Sequence, residues 1–277
     1  MSFLKSVLLA FSMFSTVPVP RIEWNQKNMR YMMCAFPLVG LLTALLCAVW
    51  FLFGIQLLYV WKKPLPLPFF ALVFTLIPIL VSGGIHLDGF MDTCDALASH
   101  ASQEKKLEIL KDSHSGAFAV LGCVLYILSF YVLSFCLYSR FYGETPSPGF
   151  PNLFARFYNS LPVLCIFFLS RLLSAFAVAT FPIAKNSGLV HTFASASARR
   201  FTAIWTYVWF FLISAALIYF FRLIGIALVA SSLSVFCFYY ITAVKNFGGI
   251  TGDTAGWFLQ MCEIFDLAIF VVFTFVS

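Results

Sequence analysis

Long stretches without a charged residue constrain the fold of this chain more than any other feature. They recur at lengths near the roughly 20 residues that an α-helix needs to cross a bilayer core. Seven candidate spans result: 31–61, 64–87, 113–139, 157–184 (interrupted by Arg171), 201–221, 223–244 and 254–277 (which contains Glu263 and Asp266). The stretches are continuously apolar rather than alternating, which favours helices over a membrane β-barrel. The sequence predicts an all-α, polytopic transmembrane helical bundle, with residues 1–277 forming one integral-membrane domain.

The scarcity of charge supports this class. Only 10% of residues are charged and 62% are hydrophobic, whereas a soluble domain usually carries about a quarter charged residues. So few charges cannot cover the surface of a soluble fold of this size. The net charge of +6 fits membrane topology and attraction of anionic substrates, and we expect no nucleic-acid partner.

The N-terminal residues and the basic residues predict how the chain meets the membrane. Phe3, Val7, Ala10, Phe11 and Phe14 share one helical face, which favours an interfacial or re-entrant helix before the first span. With a cytoplasmic N-terminus, eleven of the 17 Lys and Arg residues fall on the cytoplasmic side. The opposite side holds five: Lys62, Lys63, Arg140, Arg156 and Arg222. The excess of positive charge inside predicts this orientation.

The acidic residues are concentrated in one short stretch. Six of the eleven lie between 88 and 112: Asp88, Asp92, Asp95, Glu104, Glu108 and Asp112. On a helix the first three fall within roughly 60° of arc, at the end of an apolar span and with no Lys or Arg between them. Such carboxylates repel one another unless a cation neutralises them, and Mg²⁺ bound by carboxylates and substrate phosphates is the common case. Because acids at membrane depth are costly, we predict a metal site rather than a solvated loop.

The residues that follow have two possible roles. Glu104 and Glu108 alternate with lysines in the pattern of an exposed helix face, and we interpret them as surface charge. Asp112 or Ser113 is predicted to cap the next helix, and the same helix N-terminus offers free N–H groups to a phosphate.

A second polar segment lies at 246–256, with four glycines and the acid Asp253. Glycines let the backbone approach an anion closely, and Asp253 or Thr254 is predicted to cap the following helix. An even number of spans separates this segment from the first acids, so both are expected on the cytoplasmic side. Arg171 is an intramembrane cation, and either an ion pair with Glu263 or Asp266 or a substrate phosphate would satisfy it.

Three ordered motifs carry a resemblance to a known family. Residues 83–95 follow the pattern G-G-x-H-L-D-G-x-x-D-T-C-D, residues 107–116 contain L-E-I followed by K-D-S-x-x-G, and residues 248–256 read G-G-x-T-G-D-T-x-G. Shorter matches are Val17-Pro18-Val19-Pro20, Phe36-Pro37-Leu38-Val39-Gly40 and Ser170-Arg171. Across the whole chain the sequence resembles the cobalamin synthase family, the adenosylcobinamide-GDP ribazoletransferases.

The resemblance implies a reaction, a cofactor and a location. Adenosylcobinamide-GDP and α-ribazole, or its 5′-phosphate, would give adenosylcobalamin, or its 5′-phosphate, and GMP. The cofactor would be Mg²⁺ and the location the bacterial cytoplasmic (inner) membrane, with a homo-oligomer left open. The implied metal ligands are Asp88, Asp92, Asp95 and Asp253, and the implied catalytic residues are Asp92 or Asp95 as general base, with His86 orienting substrate or a ligand. The implied substrate-binding residues are Lys111, Asp112, Ser113, Arg171, Gly252 and Thr254.

Two other functions share some of these features. A CDP-alcohol phosphotransferase also uses Mg²⁺ on helical aspartates after an Asp-Gly pair, but no Ala-Arg follows Asp88-Gly89 here and the next acids come too soon. A cation transporter would also need membrane acids, but its sites usually lie near the midplane, whereas these acids cluster at one membrane face.

Overall fold

The computed structural model describes residues 2–61, 66–142, 150–185 and 188–276. Within these ranges the chain forms α-helices and no strand, apart from one isolated bridge between Ile183 and Ile250. The helices are α1 (Ser2–Phe14), α2 (Gln26–Met29), α3 (Met32–Trp61), α4 (Leu67–Ser82), α5 (Ile85–Ala98), α6 (Gln103–Ile109), α7 (Ala117–Tyr142), α8 (Phe150–Thr180), α9 (Leu189–Ala196), α10 (Arg199–Phe247) and α11 (Gly252–Val276). The fold class that the sequence predicts, a polytopic helical membrane bundle, is confirmed.

The number of crossings depends on two bent elements. In the described part of the chain five helices, α3, α7, α8, α10 and α11, are long and apolar enough to cross a membrane, and α4 with α5 makes a sixth if that bent pair is one span. Lys62, Lys63 and the start of the predicted span 64–87 lie outside the described residues. The sequence predicts seven spans, and α10 accounts for the difference.

Helix α10 folds back on itself. A straight helix of its 49 residues would be about 74 Å long, more than twice the ~30 Å of a bilayer core. Its helical geometry fails at Arg222, where φ is 50° and ψ is −118°. A Cβ on Gly225 would collide with the backbone carbonyl of Leu217, although residues eight apart lie about 12 Å apart along a straight helix. The two arms of α10 therefore correspond to the predicted spans 201–221 and 223–244.

A second break separates α4 from α5. The predicted continuous span over 64–87 is wrong, because α4 ends at Ser82 and α5 leaves at an angle of 92°. Gly83 and Gly84 make this turn with φ of 63° and 80°, a left-handed conformation that glycine adopts without strain. Thr16 then donates its N–H to Val81 O (2.8 Å) and its hydroxyl to Leu80 O (3.0 Å), so the carbonyls freed by the break have partners.

Helix α8 forms the centre of the bundle and α7 and α10 form its outside. Most side chains of α8 between Ser160 and Thr180 are buried against α3, α10 and α11. Helix α7 instead exposes a face of apolar side chains, among them Leu121, Leu125 and Leu128. Such a face is stable in contact with lipid rather than with water.

Helix α1 is too short to cross a membrane at 13 residues. It buries Ser6, Leu9 and Ala10, and the Ser6 hydroxyl donates to Asn28 O at 2.6 Å. On the apolar face that the sequence identifies, Ala10 is fully buried whereas Phe3 is 51% exposed. The bond of Ser6 to Asn28 O therefore ties α1 to α2.

Several hydrogen bonds gather the polar connections at one end of the bundle. Ile250 N donates to Pro182 O (2.8 Å), Ala184 N donates to Ile250 O (3.1 Å), and Ala198 N donates to Arg30 O (3.0 Å). We call this end, with residues 30, 83–116, 180–185, 188–198 and 247–254, the α5 end. Arg140 and Thr274 meet at the opposite end, where Arg140 Nε donates to Thr274 O at 2.9 Å.

Candidate functional site

Helices α5 and α11 cross at two glycines. A Cβ on Gly89 would lie 2.8 Å from the Cα of Asp253, and a Cβ on Gly256 would lie 2.8 Å from His86 O and 3.4 Å from the Cα of Gly89. Small residues at a helix crossing allow backbones to approach this closely. The crossing joins the two polar segments that the sequence predicts on one side of the membrane, and it brings Asp253 to the acids of α5.

Four aspartates share this crossing and influence one another electrostatically. The carboxylate of Asp92 lies within range of the charges of Asp88, Asp253 and Asp95, and Asp253 lies within range of Asp88. Asp88 is exposed, whereas the other three are half-buried. The carboxylates of Asp88 and Asp92 form no hydrogen bond or ion pair with any residue that the structure describes. The site therefore concentrates negative charge and leaves it available to a bound cation.

Asp95 has a structural partner that the sequence does not reveal. Its carboxylate accepts hydrogen bonds from Gly116 N (2.5 Å) and Ala119 N (3.0 Å), which are backbone groups at the start of α7. A Cβ on Gly116 would collide with this carboxylate, so glycine is needed there. Asp95 therefore caps α7 from 21 residues upstream, in the way that an N-cap acid satisfies free N–H groups.

The predicted capping residues of α7 and α11 are accordingly corrected. Asp112 does not cap α7: its Oδ1 accepts from His114 N at 3.0 Å, within the exposed connection that also holds Ser113. For α11 the N-cap is Thr251, whose hydroxyl accepts from Thr254 N (3.1 Å) while the Thr254 hydroxyl accepts from Thr251 N (2.8 Å). This reciprocal pair is a capping box. Thr254 is thereby buried, and the Asp253 carboxylate is not needed to cap α11.

The residues present fit a Mg²⁺ ion that is held partly by protein carboxylates and partly by substrate oxygens, rather than by protein side chains alone. In the described ranges no three His, Cys, Asp or Glu side chains converge closely enough to hold a metal ion by themselves. Mg²⁺ commonly takes one or two carboxylates and completes its shell with water and substrate phosphate oxygens. Asp88, Asp92 and Asp253 supply such hard oxygen donors without a cation paired to Asp88 or Asp92.

Open space lies beside the start of α11. Gly252 is exposed, and a Cβ added to it would meet nothing within 4 Å. The first backbone N–H groups of a helix have no partner inside the helix, and together with the helix dipole they attract anions. A phosphate group can therefore reach this helix N-terminus next to Asp253.

Two lysines lie close to these acids. The Lys185 ammonium donates to Leu107 O at 2.9 Å and contacts the side chain of Lys111. Partial burial and then the neighbouring Lys111 charge lower the pKa of Lys185, while the charges of Asp253 and Glu108 act in the opposite direction. Two ammonium groups held together repel each other, and an anion between them would remove that cost.

Lys185 is absent from the site residues that the sequence predicts. Its position in the sequence could have indicated it: it is the only Lys or Arg between 172 and 198, and it follows a span on the predicted side of the site.

Another lysine of this end, Lys106, has a different function. It is buried, and its ammonium donates to Asn246 Oδ1 at 2.7 Å, which ties α6 to the end of α10.

The remaining acids of α6 lie on the surface, as the sequence predicts. Glu108 pairs with Lys105 at 2.9 Å, and both side chains are about two-thirds exposed, at 66% and 64%. Glu104 is exposed as well. These acids do not join the crossing.

His86 and Arg171 lie deeper in the bundle. The His86 ring is buried against Phe14 and Phe36, with centroid distances of 6.2 and 5.9 Å, and its Nε2 atom has no hydrogen-bond partner among the described residues. Arg171 forms an ion pair with Glu263, with both side chains almost fully buried. Of the two predicted roles of Arg171, the ion pair is the one present.

Gly40 explains the environment of Arg171. A Cβ at Gly40 would lie 3.0 Å from the Arg171 Cδ and would collide with Phe167 O. The glycine of the segment 36–40 therefore allows α3 to pack directly on α8. Asp266, the other predicted partner of Arg171, accepts from the Ser232 hydroxyl at 2.5 Å instead.

Comparison with known proteins agrees with the motifs gathered at this crossing. The model of the family described as cobalamin-5-phosphate synthase matches residues 6–271. An adenosylcobinamide-GDP ribazoletransferase from Lachnoclostridium phytofermentans is 37% identical over 264 residues, which cover 95% of this chain and 92% of the relative. A relative with the same name from Clostridium botulinum (strain Alaska E43 / Type E3) is 32% identical to this chain, and the match covers 98% of each of the two chains. In Geobacillus kaustophilus the identity is 33% over 91% of this chain and 90% of the relative. No solved structure matches the chain.

The match extends over nearly the whole chain and includes the segments that supply Asp88, Asp92 and Asp253. It favours a transferase over an ion transporter, since the relatives named above are transferases. The chain belongs to the cobalamin-5-phosphate synthase family.

Proposed function

We propose that this chain joins adenosylcobinamide-GDP to α-ribazole or its 5′-phosphate and releases GMP. The product is adenosylcobalamin or its 5′-phosphate. Family membership supports the reaction, and one structural observation carries the assignment of the site. The close approach of α5 and α11 at Gly89 and Gly256 places Asp88, Asp92 and Asp253 beside one another at the open N-terminus of α11.

The proposed step is a phosphoryl transfer. The ribose hydroxyl oxygen of α-ribazole forms a bond to the phosphorus that carries cobinamide, and the bond from that phosphorus to the oxygen of GMP breaks. GMP leaves with the bonding electrons, and the hydroxyl proton passes to a carboxylate. We assign this general-base role to Asp92, because both oxygens of Asp95 already accept hydrogen bonds from α7 and a base needs a free lone pair within reach of the hydroxyl.

We propose Mg²⁺ as the cofactor, held by Asp88 and Asp253 together with oxygens of the substrate diphosphate. When bound, the ion neutralises charge on the transferred phosphoryl group and on the leaving GMP. Asp95 in this proposal holds α7 against α5 and does not bind the ion. His86 packs in the core beneath the acids and positions α5.

The substrate diphosphate is bound, in this proposal, by cations and backbone groups of the same end. Lys111 and Lys185 supply two adjacent positive charges, and the exposed start of α11 at Gly252 supplies free N–H groups. We do not assign this role to Arg171, because its guanidinium pairs with the buried Glu263. Asp112 and Ser113, next to Lys111 in the sequence, stay predicted substrate contacts.

We further propose that the α5 end faces the cytoplasm from the bacterial inner membrane. Among the described residues, Lys and Arg are more numerous at this end than at the opposite one, which supports the orientation. A cysteine in place of exposed Glu104, in a background without the native cysteines, tests it with a membrane-impermeant maleimide. Labelling in inverted vesicles but not in intact cells is expected, and the reverse pattern would contradict the orientation.

The function is tested with membranes that contain the protein, supplied with adenosylcobinamide-GDP, α-ribazole and Mg²⁺. Equal amounts of GMP and adenosylcobalamin are expected, with no products when EDTA is present and recovery when Mg²⁺ is restored. Asp253→Asn should abolish both products, whereas Glu104→Gln, a change of an exposed acid at the same end, should leave them. GMP without cobalamin would indicate a hydrolase, and turnover of CDP-diacylglycerol instead would indicate the phosphotransferase alternative.

A further inference from the structure

A long apolar cleft lies on the opposite flank of α8 from α11, between α3, α8 and the first arm of α10. Its volume is about 750 Å³. No charged side chain lines it; representative lining residues are Leu41, Leu45, Leu164, Phe168, Trp205 and Trp209. The cleft is open at the side, since Leu45 and Trp209 are 55% and 39% exposed. It is separate from the aspartates of the crossing.

The cleft follows the membrane direction. Along α10 it extends from Trp205 to Phe221, about 24 Å of helix, which is most of the ~30 Å thickness of a bilayer core. Helices α3 and α10 make few direct contacts with each other, although both pack on α8. An apolar chain of lipid length would therefore fill a gap that protein side chains leave open.

A basic cluster adjoins the cleft at the α5 end. Arg30, Arg199 and Arg200 are all exposed, and the hydrogen bond from Ala198 N to Arg30 O brings the start of α10 next to Arg30. None of the three arginines forms an ion pair with a residue that the structure describes. Arg199 is held in place because its Nε donates to Ala179 O at 3.2 Å.

Aromatic rings connect this cluster to the cleft. The Arg30 guanidinium lies over the Tyr31 ring at 5.6 Å. The centroid of the Tyr31 ring lies 6.4 Å from that of Phe3 and 5.5 Å from that of Phe201. The Phe201 ring stacks on the Trp205 ring with 6.0 Å between centroids. Phe3 and Trp205 are themselves lining residues. The apolar cleft is thus continuous with Arg30, and Arg199 and Arg200 directly precede Phe201 in the sequence.

We propose that this cleft binds one anionic phospholipid, whose acyl chain occupies the cleft and whose headgroup phosphate contacts Arg30, Arg199 and Arg200. Guanidinium groups bind phosphate oxygens in a fixed planar geometry, and basic pockets between membrane helices bind anionic headgroups. A lipid without net negative charge leaves three unpaired arginines together. The lipid would act as packing between α3 and α10, so its removal should loosen the bundle.

The test compares two lipids with identical acyl chains on the detergent-purified, full-length protein. Phosphatidylglycerol is expected to raise the thermal unfolding midpoint by roughly 5 °C at saturation and to remain bound in native mass spectrometry. Phosphatidylcholine is expected to do neither. Inorganic phosphate alone, which lacks the acyl chain, should leave the midpoint unchanged.

Two pairs of variants separate cleft and headgroup. Ala216→Phe fills the cleft from a lining position and should remove the stabilisation by phosphatidylglycerol. Ala215→Phe is the control: it is the same change at the adjacent residue, which is exposed but does not line the cleft, and it should keep the stabilisation. The double variant R30Q/R200Q should also lose the effect, and Lys245→Gln, an exposed cation of the same end, should keep it. R30Q/R200Q alters no buried packing, so its result stands even where Ala216→Phe impairs folding.

Three outcomes would overturn the proposal. Equal stabilisation by both lipids would remove the headgroup selectivity, and stabilisation by inorganic phosphate would make the acyl chain irrelevant. A lipid-free dimer in native mass spectrometry, with cross-links between copies at Trp209, would mean that a second copy of the chain covers the cleft. Since catalysis is not the readout, these results are independent of the proposed reaction.

Discussion

Gly89 and Asp253 meet where α5 crosses the start of α11, and a methyl group on Gly89 would lie only 2.8 Å from the Cα of Asp253. Real side chains do not sit that close to a backbone atom. The position of Asp253 beside Asp88 and Asp92 therefore depends on the absence of a side chain at residue 89. Neither residue alone makes the site; their contact does.

Gly89→Ala is expected to separate the two helices and to lower both stability and activity. Overpacking of this kind costs about 1–3 kcal/mol, and a displacement of Asp253 by about 1 Å can lower turnover on the order of a hundredfold. Thermal unfolding and the GMP-release assay measure the two effects. Gly252→Ala is the matched control for stability, because its Cβ enters open space and should leave the unfolding midpoint in place. A Gly89→Ala variant with normal midpoint and normal kcat would show that the close approach is unimportant.

Asp92 and Asp95 are expected to respond differently to the same substitution. Asp92→Asn removes the proposed base and should lower kcat by roughly 10²–10⁴-fold with no loss of stability, because no described residue bonds to its carboxylate. Asp95→Asn weakens the cap of α7 and should cost about 0.5–2 kcal/mol of stability. Melting curves and kcat on the two purified variants separate the roles. Loss of turnover without destabilisation in Asp95→Asn would return Asp95 to the predicted catalytic set.

Lys185 should make substrate binding sensitive to alkaline pH. Burial and Lys111 lower the pKa of Lys185 below its usual value, so its charge is present at neutral pH and is lost earlier than that of an ordinary lysine as pH rises. The KM for adenosylcobinamide-GDP is therefore expected to increase on the alkaline side, with kcat changing less. Lys185→Arg, which stays charged throughout, should flatten that increase, and Lys185→Gln should show a high KM at every pH. A KM profile that is identical in all three proteins would contradict a phosphate contact.

Lys106 should prove structural although its neighbour Lys105 is surface charge. Lys106→Met leaves Oδ1 of the half-buried Asn246 without its donor at the end of α10, at a cost of about 1 kcal/mol. Hydrogen exchange across 99–112 is expected to rise, because α6 loses its attachment to α10. Lys105→Met, which removes only an exposed pair with Glu108, is the control and should leave exchange unchanged. Equal protection in the two variants would show that the Lys106 bond does not hold α6.

The broad architecture was readable from the sequence because lipid imposes simple rules. A helix must present about 20 apolar residues to cross the bilayer core, so the positions of charges such as Arg222 mark the ends of spans. The turn at Arg222, which divides α10 into two arms, lies where the sequence separates two spans. The spacing of Asp88, Asp92 and Asp95 likewise places them on one helix face. Charge positions and helical periodicity, which are local features of the sequence, were sufficient to predict the span boundary at Arg222 and the common face of the three aspartates.

The break between α4 and α5 shows where this reasoning stops. Residues 64–87 are apolar enough to be taken as one span, yet Gly83 and Gly84 adopt left-handed angles and turn the chain by 92°. Hydropathy contains no information about such a turn. The glycine pair permits it, but the hydrogen bonds from Thr16, more than 60 residues earlier, help to hold it.

The sequence by itself determined the fold class, the family and the acids that meet where α5 crosses α11. Only the tertiary structure decided which partner each charged residue takes: Asp95 the start of α7, Arg171 the buried Glu263, Lys106 the amide of Asn246, and Lys185 the neighbourhood of Lys111 and Asp253. The bonded partners are far apart in the sequence: 21 residues separate Asp95 from Gly116, and 140 separate Lys106 from Asn246. Apolar length and helical period are local properties of a sequence, whereas the pairing of a charge depends on which helices pack together.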